Sequence, residues 1–409
     1  MLNYTYLALE SATGKKIKAE IQAENEQAAA KLLREHGMAP IEITLKTAQK
    51  TSPLDKILKR VRTKDKVIFS RQLSTLINAG LPIVQSLQTV SDQTNNAALK
   101  TVVTKIITDI EAGSSFSAAL AKHPKVFDNV YISLVAAGET SGTLDASLER
   151  LANQQEKDAE IISKVRGALI YPVVVLIVMA AVMTFMITVV LPQVQNLYNG
   201  LPGIKLPLIT RVLLRISHTV THYWFFILLI IGVIVFLTTR WARTGPGKSV
   251  VDSLKMHTWP FGQLFTKLYM ARFSRTGATL VGSGVPLLQM LSITSEAVNN
   301  VHVSESISRA AEKVKGGKAL SDSLQGDPNF PDLVPNMIHI GEQSGALETM
   351  LGKSADYYEK EVDQQVKAIS TLVEPVLMII MGVMAFIIVA AVLLPIYGLV
   401  GHIGVNGIK

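Results

Sequence analysis

Cysteine is absent from the 409-residue sequence, and this absence removes several classes of chemistry. Disulfides, thiolate zinc sites, iron–sulfur clusters and cysteine nucleophiles all require a thiol side chain. Charged residues are also scarce, at 18% of the chain, whereas soluble domains average about 25%. Because 48% of the residues are hydrophobic, the composition argues against a disordered chain and against an ordinary soluble enzyme.

Recognisable catalytic motifs are missing as well. The sequence has no G-x4-G-K-[ST] phosphate loop, no H-E-x-x-H zinc motif and no G-x-S-x-G nucleophile elbow. The GPGK at 245–248 is only a fragment of a phosphate loop, and the eight histidines form no pattern that suits a catalytic triad. We therefore expect a protein that is not an enzyme, with no catalytic residue, no metal site and no cofactor.

Three long apolar segments predict membrane-spanning helices at 169–191, 223–239 and 372–401. About 20 apolar residues suffice to cross the hydrocarbon core, and the second segment opens with aromatic residues of the kind found at membrane interfaces. The alternative for each segment is a buried core helix. The net charge of +8 suits either a nucleic acid or a membrane surface, and the apolar segments favour the membrane.

Lysine and arginine near the ends of these segments predict their orientation. Eleven lie beside the polar segments before the first span, after the second and before the third, against four in 192–222 and the C-terminal tail. Since the cytoplasmic side is the one enriched in basic residues, we expect a multi-pass protein of the cytoplasmic (inner) membrane with a cytoplasmic N-terminus.

The chain contains an internal repeat. Residues 69–87 match 273–291 at nine of nineteen positions with an offset of 204, and after a one-residue slip 138–148 match 341–351. The match continues into the membrane segments, so each copy, about 64–192 and 268–395, joins a polar domain to a span. Apolar residues spaced as on one helix face predict that each polar domain is a helical bundle.

The predicted fold class is mainly α: a polytopic membrane protein with two homologous cytoplasmic helical bundles, three transmembrane helices and a small β-β-α-β N-terminal domain. Two alternating segments joined by a turn, a helical segment after Asn25 and a third short strand predict that small domain. The predicted organisation is an α+β domain (1–50), a basic linker (51–66), bundle 1 (67–168), the first span (169–191), an extracytoplasmic loop (192–222), the second span (223–239), bundle 2 (240–371), the third span (372–401) and an extracytoplasmic tail (402–409).

Paired motifs in the two copies supply the candidate site residues. Gly and Pro are expected to close one helix and open the next, and a Gly-Glu-x-Ser-Gly turn is expected before each long helix that enters the membrane. A glutamate there suits the start of a helix. An ionisable residue and prolines also lie at the starts of the spans. The candidates are Gly80, Pro82, Gly284 and Pro286; Gly138, Glu139, Gly142, Gly341, Glu342 and Gly345; and Pro172, Glu374 and Pro375.

These motifs resemble the type II secretion F / type IV pilus assembly C family. The resemblance rests on the paired G-E-x-S-G-x-L segments, the paired A-G-x-P and S-G-x-P turns, and K-x4-L-x2-P leading into a span that closes at Leu-Pro. The N-terminal segment resembles the family's small N-terminal domain, so nearly the whole chain is covered. The longer 192–222 loop departs from the family pattern and leaves the start of the second span open.

The resemblance implies an inner-membrane platform that couples a hexameric cytoplasmic assembly or retraction ATPase to pilin or pseudopilin subunits. It also implies contacts with other inner-membrane assembly proteins and the lipid bilayer, a homo-oligomer, and no nucleic-acid partner. Glu139 and Glu342 then either stabilise helix starts or contact the ATPase or a divalent cation. Glu374 is a structural carboxylate, a pilin contact or part of an ion path.

A secondary transporter, or another polytopic membrane protein with duplicated cytoplasmic domains, is the alternative function. Transporters also contain repeats, but their repeats divide the membrane spans and place polar sites near the middle of the bilayer. Here the repeat is mostly polar helix, and the interiors of the predicted spans carry almost no charge. The residue pattern therefore favours the platform.

Overall fold

The computed structural model describes residues 2–10, 16–23, 28, 30, 32–33, 38–45, 61–193 and 208–406. The chain divides into a unit at Met1–Arg60 and a larger unit at Val61–Lys409. The first contains a small antiparallel sheet, and the second contains all of the long helices.

Three strands form the N-terminal sheet: β1 Leu2–Glu10, β2 Lys16–Ala23 and β3 Met38–Leu45, in the order β2-β1-β3. Pro40 pairs with Ala8 beside a break in register, and β3 is an edge strand, where a missing N–H is tolerated. The helix predicted between β2 and β3 lies largely outside the described residues.

The first copy of the repeat contains six helices. Asn96 and Asp128 cap the third and fifth of these through side-chain oxygens that accept backbone N–H groups. Phe69 and Leu73 of the predicted apolar stripe are buried in the core. The helices are α1 Thr63–Asn78, α2 Ile83–Gln93, α3 Ala97–Glu111, α4 Phe116–Ala121, α5 Asn129–Ser141 and α6 Leu144–Phe185, which continues through a π-helical turn at Met186–Val190.

The second copy has a matching series of six helices, α9 to α14. Two further helices, α7 and α8, precede them and have no counterpart between α1 and α6. The bounds are α7 Leu208–Trp241, α8 Gly245–His257, α9 Gly262–Gly282, α10 Leu287–Val298, α11 Val301–Lys315, α12 Leu320–Leu324, α13 Leu333–Ser344 and α14 Leu347–Asn406.

Equivalent aromatic pairs lie in the cores of the two bundles. The rings of Phe69 and Phe127 are 5.9 Å apart between centroids, and those of Phe273 and Phe330 are 5.1 Å apart. Phe69 and Phe273 differ by 204 positions, whereas Phe127 and Phe330 differ by 203. The one-residue slip of the repeat is therefore absorbed in the loop after α4, where it does not disturb the core.

Three helices are long and apolar enough to cross a membrane within the described ranges: Leu144–Gln193, His222–Trp241 and Leu347–Leu393. The first two predicted spans lie within the first two of these helices, and the third predicted span, 372–401, begins within the last one and extends beyond Leu393. Their apolar side chains are exposed along most of their length, as expected for surfaces that contact lipid. A helix suits the bilayer because it hydrogen-bonds its backbone groups within the segment.

Several predicted boundaries differ from those in the structure. Helix α1 begins at Thr63, inside the predicted linker, because Asp65 accepts a hydrogen bond from the Arg62 N–H at 3.2 Å and caps the helix. Helix α7 begins at Leu208, inside the predicted 192–222 loop, and kinks at Tyr223; residues 194–207 lie outside the described part. Helix α14 continues through the predicted tail as far as Asn406.

Candidate functional site at the joints between bundles and membrane helices

A glycine in the left-handed conformation ends the helix that precedes each long helix. Gly142 has φ +73° after α5, and Gly345 has φ +66° after α13. This conformation is the usual stop signal at a helix C-terminus. The prediction that Gly138 and Glu139 form the turn itself is wrong, since they occupy the last turn of α5, as Gly341 and Glu342 do in α13.

Gly138 and Gly341 are the points at which the long helices lie directly on the bundles. A Cβ atom on Gly138 would come within 2.8 Å of the Ser147 Cβ and 3.0 Å of the Leu144 Cα. On Gly341 it would come within 2.9 Å of the Leu347 Cα. Because these neighbours are backbone or Cβ atoms at the start of α6 and α14, only glycine fits without moving the long helix.

Glu139 and Glu342 each cap a short helix of their own bundle. Glu139 accepts hydrogen bonds from the N–H groups of Phe116 at 2.5 Å and Ser117 at 3.0 Å, and from the Ser117 hydroxyl. Both of its carboxylate oxygens therefore have donors at the start of α4. A negative charge is favourable at that end of a helix.

The same arrangement recurs in the second copy. Glu342 accepts from the N–H groups of Leu320 at 2.7 Å and Ser321 at 3.2 Å, and from the Ser321 hydroxyl at 2.6 Å. The expectation that the glutamate holds a helix start thus applies to α4 and α12, not to the long helices. In both copies these hydrogen bonds join the last turn of one helix to the start of the short helix before it: α13 to α12, and α5 to α4.

The Gly-Pro turns occupy the predicted positions between the first and second helices of each copy. Gly80 and Gly284 have φ values of +84° and +79°, and Pro82 and Pro286 are the N-cap residues of α2 and α10. The second turn also borders a cleft of about 400 Å³ formed with α5 of the first bundle. These residues shape the bundles and their contact with each other.

In each copy an arginine of the first helix forms ion pairs with carboxylates of the long helix, and we call this contact the brace. The sequence motifs did not point to either arginine. The Arg71 Nε donates to Glu156 at 2.7 Å and its Nη1 donates to Glu149 at 2.9 Å. The equivalent Arg275 donates from Nε to Glu359 at 2.8 Å, and from Nη2 to Asp356 at 2.5 Å. The repeat itself could have identified them, because Arg71 and Arg275 occupy equivalent positions in the two copies, as do Glu156 and Glu359.

The brace changes the acidity of its carboxylates. The hydrogen bond from Arg71 lowers the pKa of Glu156 below its ordinary value of 4.5. A carboxylate with a lowered pKa stabilises the folded state above its unfolded pKa, and this contribution is lost as the pH falls through the folded value. The contribution of this ion pair is therefore complete at neutral pH and disappears only below 4.5.

The two copies are joined to each other along their long helices. Arg150 pairs with Glu348 at 2.8 Å, and Lys164 pairs with Asp363 at 2.7 Å just before the membrane segments. Between these ion pairs the Gln154 Nε2 donates to the Thr276 hydroxyl at 2.9 Å in a buried position. The two copies are therefore in direct contact through α6 and α14, and through α6 and α9.

A polar cleft of about 510 Å³ lies between the bundles beside this contact. Asp158 and Arg272 line it, and burial raises the pKa of the Asp158 carboxyl. The Gln154 Oε1 is buried there without a hydrogen-bond partner. No cluster of three or more potential metal ligands occurs among the residues that the structure describes.

The residues at the starts of the spans are separate from the joints. Pro172 lies inside α6 and Pro375 inside α14, and both helices continue past them. Glu374 is exposed at the start of the third span. Beneath it, α6 and α14 pack through a small apolar cluster that includes Ile161, Val362, Val366 and Ile369.

These features define a class: a polytopic membrane protein in which a duplicated helical domain continues directly into membrane helices. The family model for type II secretion system (T2SS), protein F matches residues 69–192 and again 273–395. The model for the type II secretion system protein F, N-terminal domain, matches residues 1–44. The chain belongs to the type II secretion system protein F family, as the sequence motifs predicted.

Curated relatives extend over nearly the whole chain. A type IV pilus assembly protein PilC of Thermus thermophilus is 39% identical over 96% of this chain and 97% of its own length. A protein of the same name from Myxococcus xanthus is 35% identical over 96% and 94%. A type II secretion system protein F of Xanthomonas campestris is 34% identical over 98% and 99%. Relatives of this chain thus belong to both kinds of machine.

Proposed function

We propose that this protein is the inner-membrane platform of a type IV pilus or type II secretion-like machine. In this role it couples a hexameric cytoplasmic assembly or retraction ATPase to the extraction and polymerisation of pilin or pseudopilin subunits. Other inner-membrane assembly proteins and a second copy of the chain complete the set of proposed partners. The names of the relatives support the kind of machine, and the coupling rests on the joints.

The observation that carries the proposal is that each described bundle packs directly against the long helix that continues into the membrane. The long helices begin in contact with Gly138 and Gly341, are braced by Arg71 and Arg275, and continue into the apolar segments. A displacement of a bundle would therefore move the helix within the membrane. Rigid helix-to-bundle contacts are what a force-transmitting protein requires.

The membrane surface offers places where an apolar pilin helix could approach closely. Gly382 and Ala385 are exposed on the third span, one turn apart, whereas Ala391 is buried among the spans. Small residues allow close packing between helices in lipid. We assign the first two residues to pilin contact and Ala391 to packing within the chain.

The proposed topology predicts which positions an impermeant thiol reagent reaches in intact cells. The native chain has no cysteine, so single-cysteine variants give an unambiguous signal. Lys125→Cys and Gln325→Cys, both exposed on the bundles, should react only after permeabilisation, whereas Thr219→Cys near the second span should react in intact cells. Labelling of either bundle position in intact cells would contradict a cytoplasmic location.

Deletion and cross-linking test the platform role itself. A deletion strain should lose its filaments or its secretion and recover them with the wild-type gene. Gly382→Cys should form a cross-link to a cysteine placed in the apolar helix of the pilin, whereas Leu288→Cys, exposed on bundle 2, should not. Normal filaments and secretion in the deletion strain would reject the proposal, and solute flux into liposomes containing the purified chain would favour a transporter.

A further inference from the structure

Helix α8 presents an apolar stripe to its surroundings instead of to the protein core. Pro246, Val250 and Leu254 recur every four residues and are exposed, and Val250 and Leu254 have exposed fractions of 54% and 65%. Trp259, just beyond the helix, is 81% exposed. A helix on the surface of a soluble protein has the reverse arrangement, with its polar side facing outward.

The polar side of α8 faces bundle 2 and fixes the orientation of the helix. Asp252 has an exposed fraction of only 1% and accepts a hydrogen bond from the Val301 N–H at the start of α11, at 3.2 Å. The same carboxylate pairs with Lys255 at 2.9 Å, and the His302 Nε2 lies 3.1 Å from the Ser249 carbonyl. Rotating α8 to bury its apolar stripe would break these contacts.

The start of α8 is held against the end of the second membrane span. Helix α7 ends at Trp241 and α8 begins at Gly245, a connection too short to carry α8 away from the bilayer. A Cβ atom on Gly247 would come within 2.0 Å of the Trp241 carbonyl oxygen, so the two helix ends are in direct contact. The apolar stripe therefore begins where the apolar span ends.

Positive charge surrounds this region. Arg240 and Arg243 are exposed between the span and α8. The sole acidic residue in 240–260 is Asp252, which is buried and paired. Basic residues beside an apolar helix face match the charge of anionic phospholipid headgroups, and tryptophan favours the membrane interface.

We propose that α8 is an interfacial helix that lies in the membrane surface. Val250, Leu254 and Trp259 insert at the boundary between headgroups and acyl chains, and Arg240 and Arg243 bind anionic phospholipid headgroups. Through Asp252 the helix holds bundle 2 at a fixed height from the bilayer. The inference requires only that α7 spans the membrane and is independent of the platform role.

Nitroxide probes on the full-length protein in nanodiscs test the insertion. Val250→Cys and Leu254→Cys carry the probe, with Ile231→Cys inside the second span and Glu305→Cys on the exposed side of α11 as controls. The ratio of collisions with oxygen to collisions with a water-soluble nickel complex should be several-fold higher at 250 and 254 than at 305. It should be lower there than at 231, because the stripe reaches only the interface.

Two results would overturn the insertion. Ratios at 250 and 254 equal to the ratio at 305 would place α8 in water. Protection from both reagents would mean that protein, such as a second copy or another domain, covers the stripe. In either case α8 would not be a lipid-binding helix.

The headgroup contact is tested by changing the lipid. Discs that contain phosphatidylglycerol should raise the collision ratio at Leu254→Cys relative to discs of phosphatidylcholine alone. Adding Arg240→Gln and Arg243→Gln should remove this difference while leaving the ratio in phosphatidylcholine unchanged. The same ratio in both lipids with the arginines intact would reject anionic lipid binding.

Discussion

Gly138→Val and Gly341→Val should each abolish filament assembly while the protein remains in the membrane fraction. A valine side chain at either position would collide with the first turn of α6 or α14, where a Cβ alone comes within about 3 Å of Leu144 or Leu347. Overpacking of this kind costs about 1–3 kcal/mol and shifts the long helix relative to its bundle. The spans themselves are unchanged, so insertion should proceed.

Gly352→Val is the matched control for this experiment. Gly352 lies inside α14, and a Cβ atom there would meet nothing within 4 Å, so assembly should be normal. The measurements are filament count and membrane abundance for each variant. Normal filaments from both Gly138→Val and Gly341→Val would show that the joints do not transmit force.

Conservative changes of the capping glutamates separate structural from partner roles. If Glu139 and Glu342 only cap α4 and α12, Glu139→Gln and Glu342→Gln should weaken assembly less than the valine variants, because the amide oxygen still accepts from one N–H group, although the amide nitrogen cannot accept from the other. Asp145→Asn, an exposed carboxylate in the first turn of α6, is the control. Losses as large as those of the valine variants would indicate that the carboxylates bind the ATPase or a cation.

Arg275→Gln should destabilise the protein far more than Arg71→Gln. The Arg275 and Glu359 side chains are 22% and 14% exposed, whereas Arg71 and Glu156 are 31% and 42% exposed. Removing one partner of a largely buried pair leaves the other charge without compensation, at a cost of about 3 kcal/mol. The Arg71–Glu156 pair is more accessible to water, which screens its charges, so its loss should cost less.

Thermal unfolding of the full-length protein in detergent measures this difference. Lys100→Gln, which breaks an exposed pair with Asp92 on bundle 1, is the control and should cause only a small loss of stability. Below pH 4.5 the effect of Arg71→Gln should shrink, because protonation of Glu156 removes the ion pair from the wild type as well. Equal losses for Arg275→Gln and Lys100→Gln would mean that the brace adds nothing to the long helix.

The repeat and the spans could be predicted from sequence because both leave local signals. An apolar run identifies a membrane helix without reference to any other residue, and duplication displays each motif twice. The partners of Glu139 could not be predicted in this way. The start of α4 lies more than twenty residues before Glu139, and only the packing of α4 against α5 brings them together.

The same limit applies to Arg71 and to α8. Glu156 is 85 residues from Arg71, so the pair exists only in the folded bundle. The prediction assigned all of 240–371 to bundle 2 and did not separate α8 from it. The structure turns the apolar stripe of α8 outward because Asp252 must reach the start of α11.

The 60-residue length of α14 has a mechanical consequence. At 1.5 Å per residue, about 37 Å of it lies before the third span and about 45 Å within the predicted span. A rod divided so evenly would act as a lever if the membrane surface near Glu374 served as its pivot. A sideways step of its bundle would produce a step of similar size, in the opposite direction, at the far face of the membrane. Because Lys164 links α6 to α14 at Asp363, just before that pivot, both levers would swing together.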